Sequence, residues 1–132
     1  MDNKKRKDIL AGFLILVLVF SLSSCGLGGR VRLDRDAEAR LIFNDIDVVL
    51  TNEEKETIFE IFDGSSKRLT LGGSSCGFDE NIAIQFGTYR FLIANDTCGT
   101  AMVGTRAIVI DDEDIEYIHE LFEKYGGHFP CI

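Results

Sequence analysis

Residues 81–94 read Asn81-Ile82-Ala83-Ile84-Gln85-Phe86-Gly87-Thr88-Tyr89-Arg90-Phe91-Leu92-Ile93-Ala94. In the first half Ile82, Ile84 and Phe86 recur at every second position, the period of a strand with one buried face. Gly87-Thr88 interrupts, and glycine supplies the positive φ that a two-residue hairpin turn demands. Tyr89–Ala94 returns as a second strand. An antiparallel hairpin is expected, with Phe86 opposite Tyr89.

The pattern continues on both sides. Leu41-Ile42-Phe43 and Asp45–Leu50 read as extended, with Asp-Ile-Asp-Val alternating. Thr51-Asn52-Glu53-Glu54 is a capping box, threonine at the cap and glutamate three residues on. It predicts a helix over 52–62, with Ile58, Phe59, Ile61 and Phe62 as its apolar stripe and Asp63-Gly64 as its stop. Residues 67–72 make a short strand and Gly72–Ser75 a loop. Beyond the hairpin, Asn95-Asp96-Thr97 turns and residues 105–110 form a further strand. Asp111 caps a second helix, whose Ile115, Ile118, Leu121, Phe122 and Tyr125 share one face. Gly126-Gly127 ends it. Mostly consecutive strands with two amphipathic helices predict an α+β domain: a small, mainly antiparallel sheet with both helices packed on one face.

The chain has 132 residues, 14 Lys+Arg against 22 Asp+Glu, and a net charge of −8. That is room for one domain. Residues 1–24 hold four basic and two acidic residues, which leaves ten basic and twenty acidic in 25–132, a net −10. A nucleic-acid-binding domain needs a basic footprint against the phosphates, so no nucleic-acid partner is expected.

The amino end has a basic head, Lys4-Lys5-Arg6-Lys7, and a twelve-residue apolar block, Ile9–Phe20. As a helix the block spans ~18 Å, short of the ~30 Å hydrocarbon core, and fits a signal-peptide core. An uncleaved membrane anchor is the alternative. Leu22-Ser23-Ser24-Cys25 then resembles the lipobox of bacterial lipoproteins. The resemblance implies signal-peptidase recognition through Leu22, Ser23 and Ser24, and cleavage before Cys25. It implies a diacylglyceryl group on the Cys25 thiol, an acylated (palmitate-type) new amino terminus, and the membrane as partner through that lipid. The location implied is the extracytoplasmic face of the cell membrane. The expected organisation is a signal peptide at 1–24, the lipidated cysteine and a glycine-rich tether at 25–37, and an acidic domain at 38–132. Arg30, Arg32, Arg35 and Arg40 are read either as solvated tether charges or as contacts to anionic lipid. Residues 45–126 loosely resemble small uncharacterised domains of Gram-positive exported proteins. The likeness rests on a cysteine before the hairpin, Asp96-Thr97-Cys98-Gly99 after it, and an acid-started helix ending in Tyr125-Gly126. It implies no activity.

With Cys25 assigned to lipid, Cys76, Cys98 and Cys131 remain, and an exported chain can form disulfides. Counting outward from Phe86–Tyr89 puts position 76 opposite 99, one place from Cys98. A Cys76–Cys98 bridge is therefore predicted, with Cys131 left as a thiol. His119, His128 and Cys131 offer metal-type donors, but no Cys-x-x-Cys accompanies them, and no metal or other cofactor is expected. Asp111–Asp114 complements a helix dipole and lacks the glycine of a calcium loop. Ser65-Ser66 and Ser74-Ser75 lack a nucleophile elbow, and Cys98 with His119 lacks an oxyanion motif, so no enzyme is expected. The reading is a membrane-anchored cell-envelope lipoprotein acting as a protein-interaction or binding module. Candidate partner contacts are Gly87, Thr88 and Tyr89 at the hairpin tip and the loop 73–79. The alternative is a ligand- or metal-handling accessory lipoprotein of a transporter.

Overall fold

The computed structural model describes residues 29–69 and 77–131. Its elements are β1 (Ala39–Phe43), β2 (Ile46–Val49), α1 (Asn52–Phe62), β3 (Arg68–Leu69), β4 (Phe78–Phe86), β5 (Tyr89–Ala94), β6 (Thr100–Val103), β7 (Arg106–Val109) and α2 (Asp112–Lys124). The strands form one antiparallel sheet in the order β2-β1-β4-β5-β6-β7-β3. The chain leaves one edge at β2 and rejoins the opposite edge at β3, so α1 crosses the sheet. This is the expected α+β arrangement.

Three hairpins close with two-residue turns, at Phe43↔Ile46, Phe86↔Tyr89 and Val103↔Arg106. In each, the first turn residue has a left-handed φ: Asn44 at 50°, Gly87 at 56° and Gly104 at 59°. Such turns match the right-handed twist of the flanking strands, and asparagine is a non-glycine residue that tolerates the conformation.

The capping box of α1 is complete. Glu54 N–H donates to Thr51 Oγ1 at 3.3 Å, and Thr51 N–H donates to Glu54 Oε2 at 2.9 Å. Asp111 holds the cap position of α2 in extended backbone, but its side chain makes no capping hydrogen bond, contrary to expectation. The acids here crowd one another: burial above all, then Asp111 and Glu113, raises the pKa of Asp114.

Both helices cover one sheet face. Ile58 and Phe62 of α1, with Ile115, Ile118, Leu121 and Phe122 of α2, share a core with Leu41, Ile82, Ile84, Phe86, Phe91, Ile93 and Ile108. Phe62 stacks on Phe91, with centroids 4.1 Å apart and planes 15° apart. Full burial of such side chains supplies roughly 1.5–3 kcal/mol each.

The structure departs from the sequence reading at three further places. Thr100–Val103 is a strand, although its four residues between Gly99 and Gly104 carry no clear alternation. β4 begins at Phe78 and contains an irregularity: Ala83 pairs with Leu92, but Phe78 pairs with Ala94. This shift removes the register count that placed position 76 beside Cys98. Finally, residues 29–33 belong to the folded body rather than to a tether. Val31 is fully buried, its N–H donates to Ser65 O at 2.9 Å, its carbonyl accepts from Gly64 N–H at 2.8 Å, and Gly29 O accepts from Lys67 N–H at 3.0 Å.

Candidate functional site

Cys25, with Leu22, Ser23 and Ser24, lies outside the described residues, as does Cys76. Cys98 is exposed, and its N–H donates to Asp96 Oδ1 at 3.0 Å in a local turn. Cys131 was expected as the leftover thiol but is disulfide-bonded. Its backbone N–H donates to Asn95 O at 3.2 Å, which ties the carboxyl end to the strand end after β5. A Cys131 bridge to either Cys76 or Cys98 excludes the predicted Cys76–Cys98 pair.

At the hairpin tip Gly87 and Thr88 are exposed. The tip is propped from behind, since Gly87 N–H donates to Glu38 O at 3.0 Å. Tyr89 is turned inward. Its ring stacks on Phe91 at 5.8 Å, and its hydroxyl accepts from Arg32 N–H at 3.3 Å. Of the three candidate contact residues, two face solvent and the tyrosine is structural. The loop 73–79 is described only from Gly77.

His119 and His128 line one crevice of about 80 Å³ with Glu123 and Phe129. The His119 ring lies 4.5 Å from that of Phe129. Burial lowers its pKa, and Glu123 opposes the shift. Among the described residues no three His, Cys, Asp or Glu side chains are grouped to hold a metal ion.

A second site joins the helices. Glu54, at the start of α1 and 6% exposed, accepts from Lys124 Nζ at 2.6 Å and from Tyr125 Oη at 2.8 Å. Beside this clasp runs a cleft of about 610 Å³ lined by Glu53, Thr57, Tyr117, Glu120 and Leu121. The capping box accounts for Glu54 locally, but its partners Lys124 and Tyr125 lie 70 and 71 residues away, and no local signal announces them.

A third surface is the sheet face away from the helices. Register carries one row of side chains across it: Ile42 pairs with Ala83, Ala83 with Leu92, Leu92 with Met102, and Met102 with Ala107. All five are apolar; Ala83 is fully buried, Ile42, Leu92, Met102 and Ala107 are half-buried, and none joins the core cluster that packs under the helices. Val49 and Val109, on the same face by register with Arg40 and Thr100, are 51% and 59% exposed. Arg68, opposite Ala107, and Arg90, opposite Gln85, border the row. The signal was present in the apolar runs Leu41-Ile42-Phe43 and Phe91-Leu92-Ile93-Ala94, which leave no polar position for a solvated face.

No protein-family model, curated protein or solved structure matches this chain. Among the described residues no helix is long and apolar enough to cross a membrane.

Proposed function

We propose that the chain is a lipid-anchored protein of the cell envelope, held by Cys25 on the extracytoplasmic face, whose folded body binds a protein partner through the open face of its sheet. The observation that carries the binding role is the apolar row Ile42-Ala83-Leu92-Met102-Ala107, with Val49 and Val109 exposed beside it. A contiguous apolar patch rimmed by polar residues is characteristic of interaction surfaces. Arg68 and Arg90 at its border favour a partner with an apolar ridge and an acidic rim. The anchor rests on the order of basic head, apolar block and Leu22-Ser23-Ser24-Cys25.

Acyl labelling in cells tests the anchor: Cys25 takes label, and Cys25→Ala remains unlabelled and uncleaved. A photo-crosslinking side chain tests the binding face. Placed at Met102, it is expected to give a discrete protein adduct in membranes that Leu92→Asp abolishes. Placed at Glu60 on α1, it gives none. Equal yields at both positions overturn the assignment of the sheet face.

A further inference from the structure

We infer that the ribbon made by residues 29–33 and 65–69 is a docking surface for an anionic lipid bilayer. The Arg30↔Ser66 bridge and its flanking hydrogen bonds bring two sequence-distant segments side by side. Together they hold Arg30, Arg32, Lys67 and Arg68 and no acidic residue. Arg30, Arg32 and Arg68 are exposed, Lys67 is half-buried, and none of the four forms an ion pair with a described residue. Leu69, the last described residue of this segment, is 60% exposed and adds an apolar knob. The acids that flank the ribbon in sequence are Asp34 and Asp63, and each accepts a backbone N–H, from Asp36 at 3.0 Å and from Leu33 at 2.9 Å respectively.

The rest of the body has the opposite sign. The two helices carry ten carboxylates against two lysines. A negatively charged bilayer therefore attracts the ribbon and repels the helical layer, which fixes an orientation as well as an affinity.

The position of the anchor gives a second, independent reason, which rests on the lipidation proposed above. From Cys25 to Gly29 there are four Cα steps, so a lipidated Cys25 holds Gly29 within about 14 Å of the headgroups. The ribbon is then the part of the body that the membrane meets first. Each basic residue near such a surface is worth about five-fold in partitioning, and the attraction fades within a screening length of about 10 Å at ordinary salt.

The test is amide exchange of the full chain, isolated from membranes, on phosphatidylcholine vesicles with and without phosphatidylglycerol. Exchange in 29–33 and 65–69 is expected to slow only with phosphatidylglycerol. The protection is lost near 1 M salt, where screening shortens to about 3 Å, and in the fourfold variant Arg30→Gln, Arg32→Gln, Lys67→Gln, Arg68→Gln. Circular dichroism confirms that the variant folds, and Arg30→Lys with Arg32→Lys retains protection. Equal exchange on both vesicles overturns the inference, as does protection of α1 and α2 instead. Protection by soluble polyphosphate but not by vesicles assigns the ribbon to an anionic polymer and also overturns it. Flotation with pure phosphatidylcholine near 1 M salt reports the anchor alone. Ribbon protection without such flotation retains the docking surface and refutes the lipidation.

Discussion

Tyr125, at the end of α2, donates its hydroxyl to Glu54 in the first turn of α1 at 2.8 Å, 71 residues away in sequence. With Lys124 on the other carboxylate oxygen at 2.6 Å, this sets the start of one helix against the end of the other. The helix dipoles favour both charges, the carboxylate at an N-terminus and the ammonium at a C-terminus. Glu54 therefore serves the cap and the helix pair with one side chain.

Acid stability reports this clasp. Burial works against ionisation of Glu54, yet hydrogen bonds from Lys124, the Thr51 backbone, Tyr125 and the Thr51 hydroxyl together hold its pKa at about 2, below the ordinary 4.5. Below 4.5 the unfolded chain binds more protons at this group, so its contribution is full above 4.5 and is lost as pH falls through about 2. That contribution is up to about 3 kcal/mol. Glu54→Gln is expected to cost 1–3 kcal/mol, by about the usual price of a lost charged hydrogen bond, at neutral pH and to remove this component of the acid dependence, measured by urea unfolding across pH. Lys124 is 59% exposed, so the variant leaves no buried unpaired charge. An unchanged acid limb in the variant refutes the role.

Gly99 should resist substitution. Its φ is +61°, and a Cβ there would stand 2.8 Å from the carbonyl oxygen of Ile110, the residue after β7. Ile110 N–H donates to Gly99 O at 2.7 Å, so neither backbone can withdraw cheaply. Gly99→Ala is expected to cost at least about 2 kcal/mol, a fall in Tm of about 10 °C for a domain of this size. Gly104→Ala has a similar φ but nothing within 4 Å of its Cβ, and should cost about 1 kcal/mol. Similar Tm values for the two variants would show that the Ile110 contact is unimportant.

His119 should titrate below its ordinary 6.5, because burial is the dominant influence on it. The folded state then binds fewer protons than the unfolded chain. Its contribution to stability is complete above 6.5 and declines as pH drops through the lowered folded value. NMR titration of the imidazole checks the direction, and a midpoint at or above 6.5 contradicts it. His119→Phe should flatten this portion of the stability profile.

Mapping of unreduced peptides should find the Cys131 peptide joined to another cysteine-bearing peptide. Alkylation of Cys131 without prior reduction would contradict the bridge. The partner's identity decides two further questions. Cys76 or Cys98 excludes a Cys76–Cys98 pair, and Cys25 removes the acceptor for lipid.

Local chemistry made much of the fold legible. The Thr51–Glu54 capping box and the turn at Gly87-Thr88 are short-range devices from which α1 and the central hairpin follow, and α2 follows from its apolar stripe Ile115, Ile118, Leu121 and Phe122. β6 escaped because four residues between two glycines give too short a window for period counting. The irregularity between Phe78 and Ala83 escaped because the shift is fixed by pairing with β5, not by residue type. The same limit applies to the candidate surfaces. The row Ile42-Ala83-Leu92-Met102-Ala107 exists only once five strands are in register, and Arg30 meets Lys67 only through the Gly29–Val31 pairing. The glycines before Val31 suggest a tether, whereas one apolar side chain docked in the core decides the boundary.

Burial of Val31 has a mechanical consequence. Tension on the amino end passes directly into the hydrogen bonds of Val31 with Gly64 and Ser65 and of Gly29 with Lys67, and from there into the core. An anchored body would therefore feel drag or membrane bending as strain on its own fold, with little slack to absorb it. Extraction by force should begin with detachment of this short segment and the exposure of Val31.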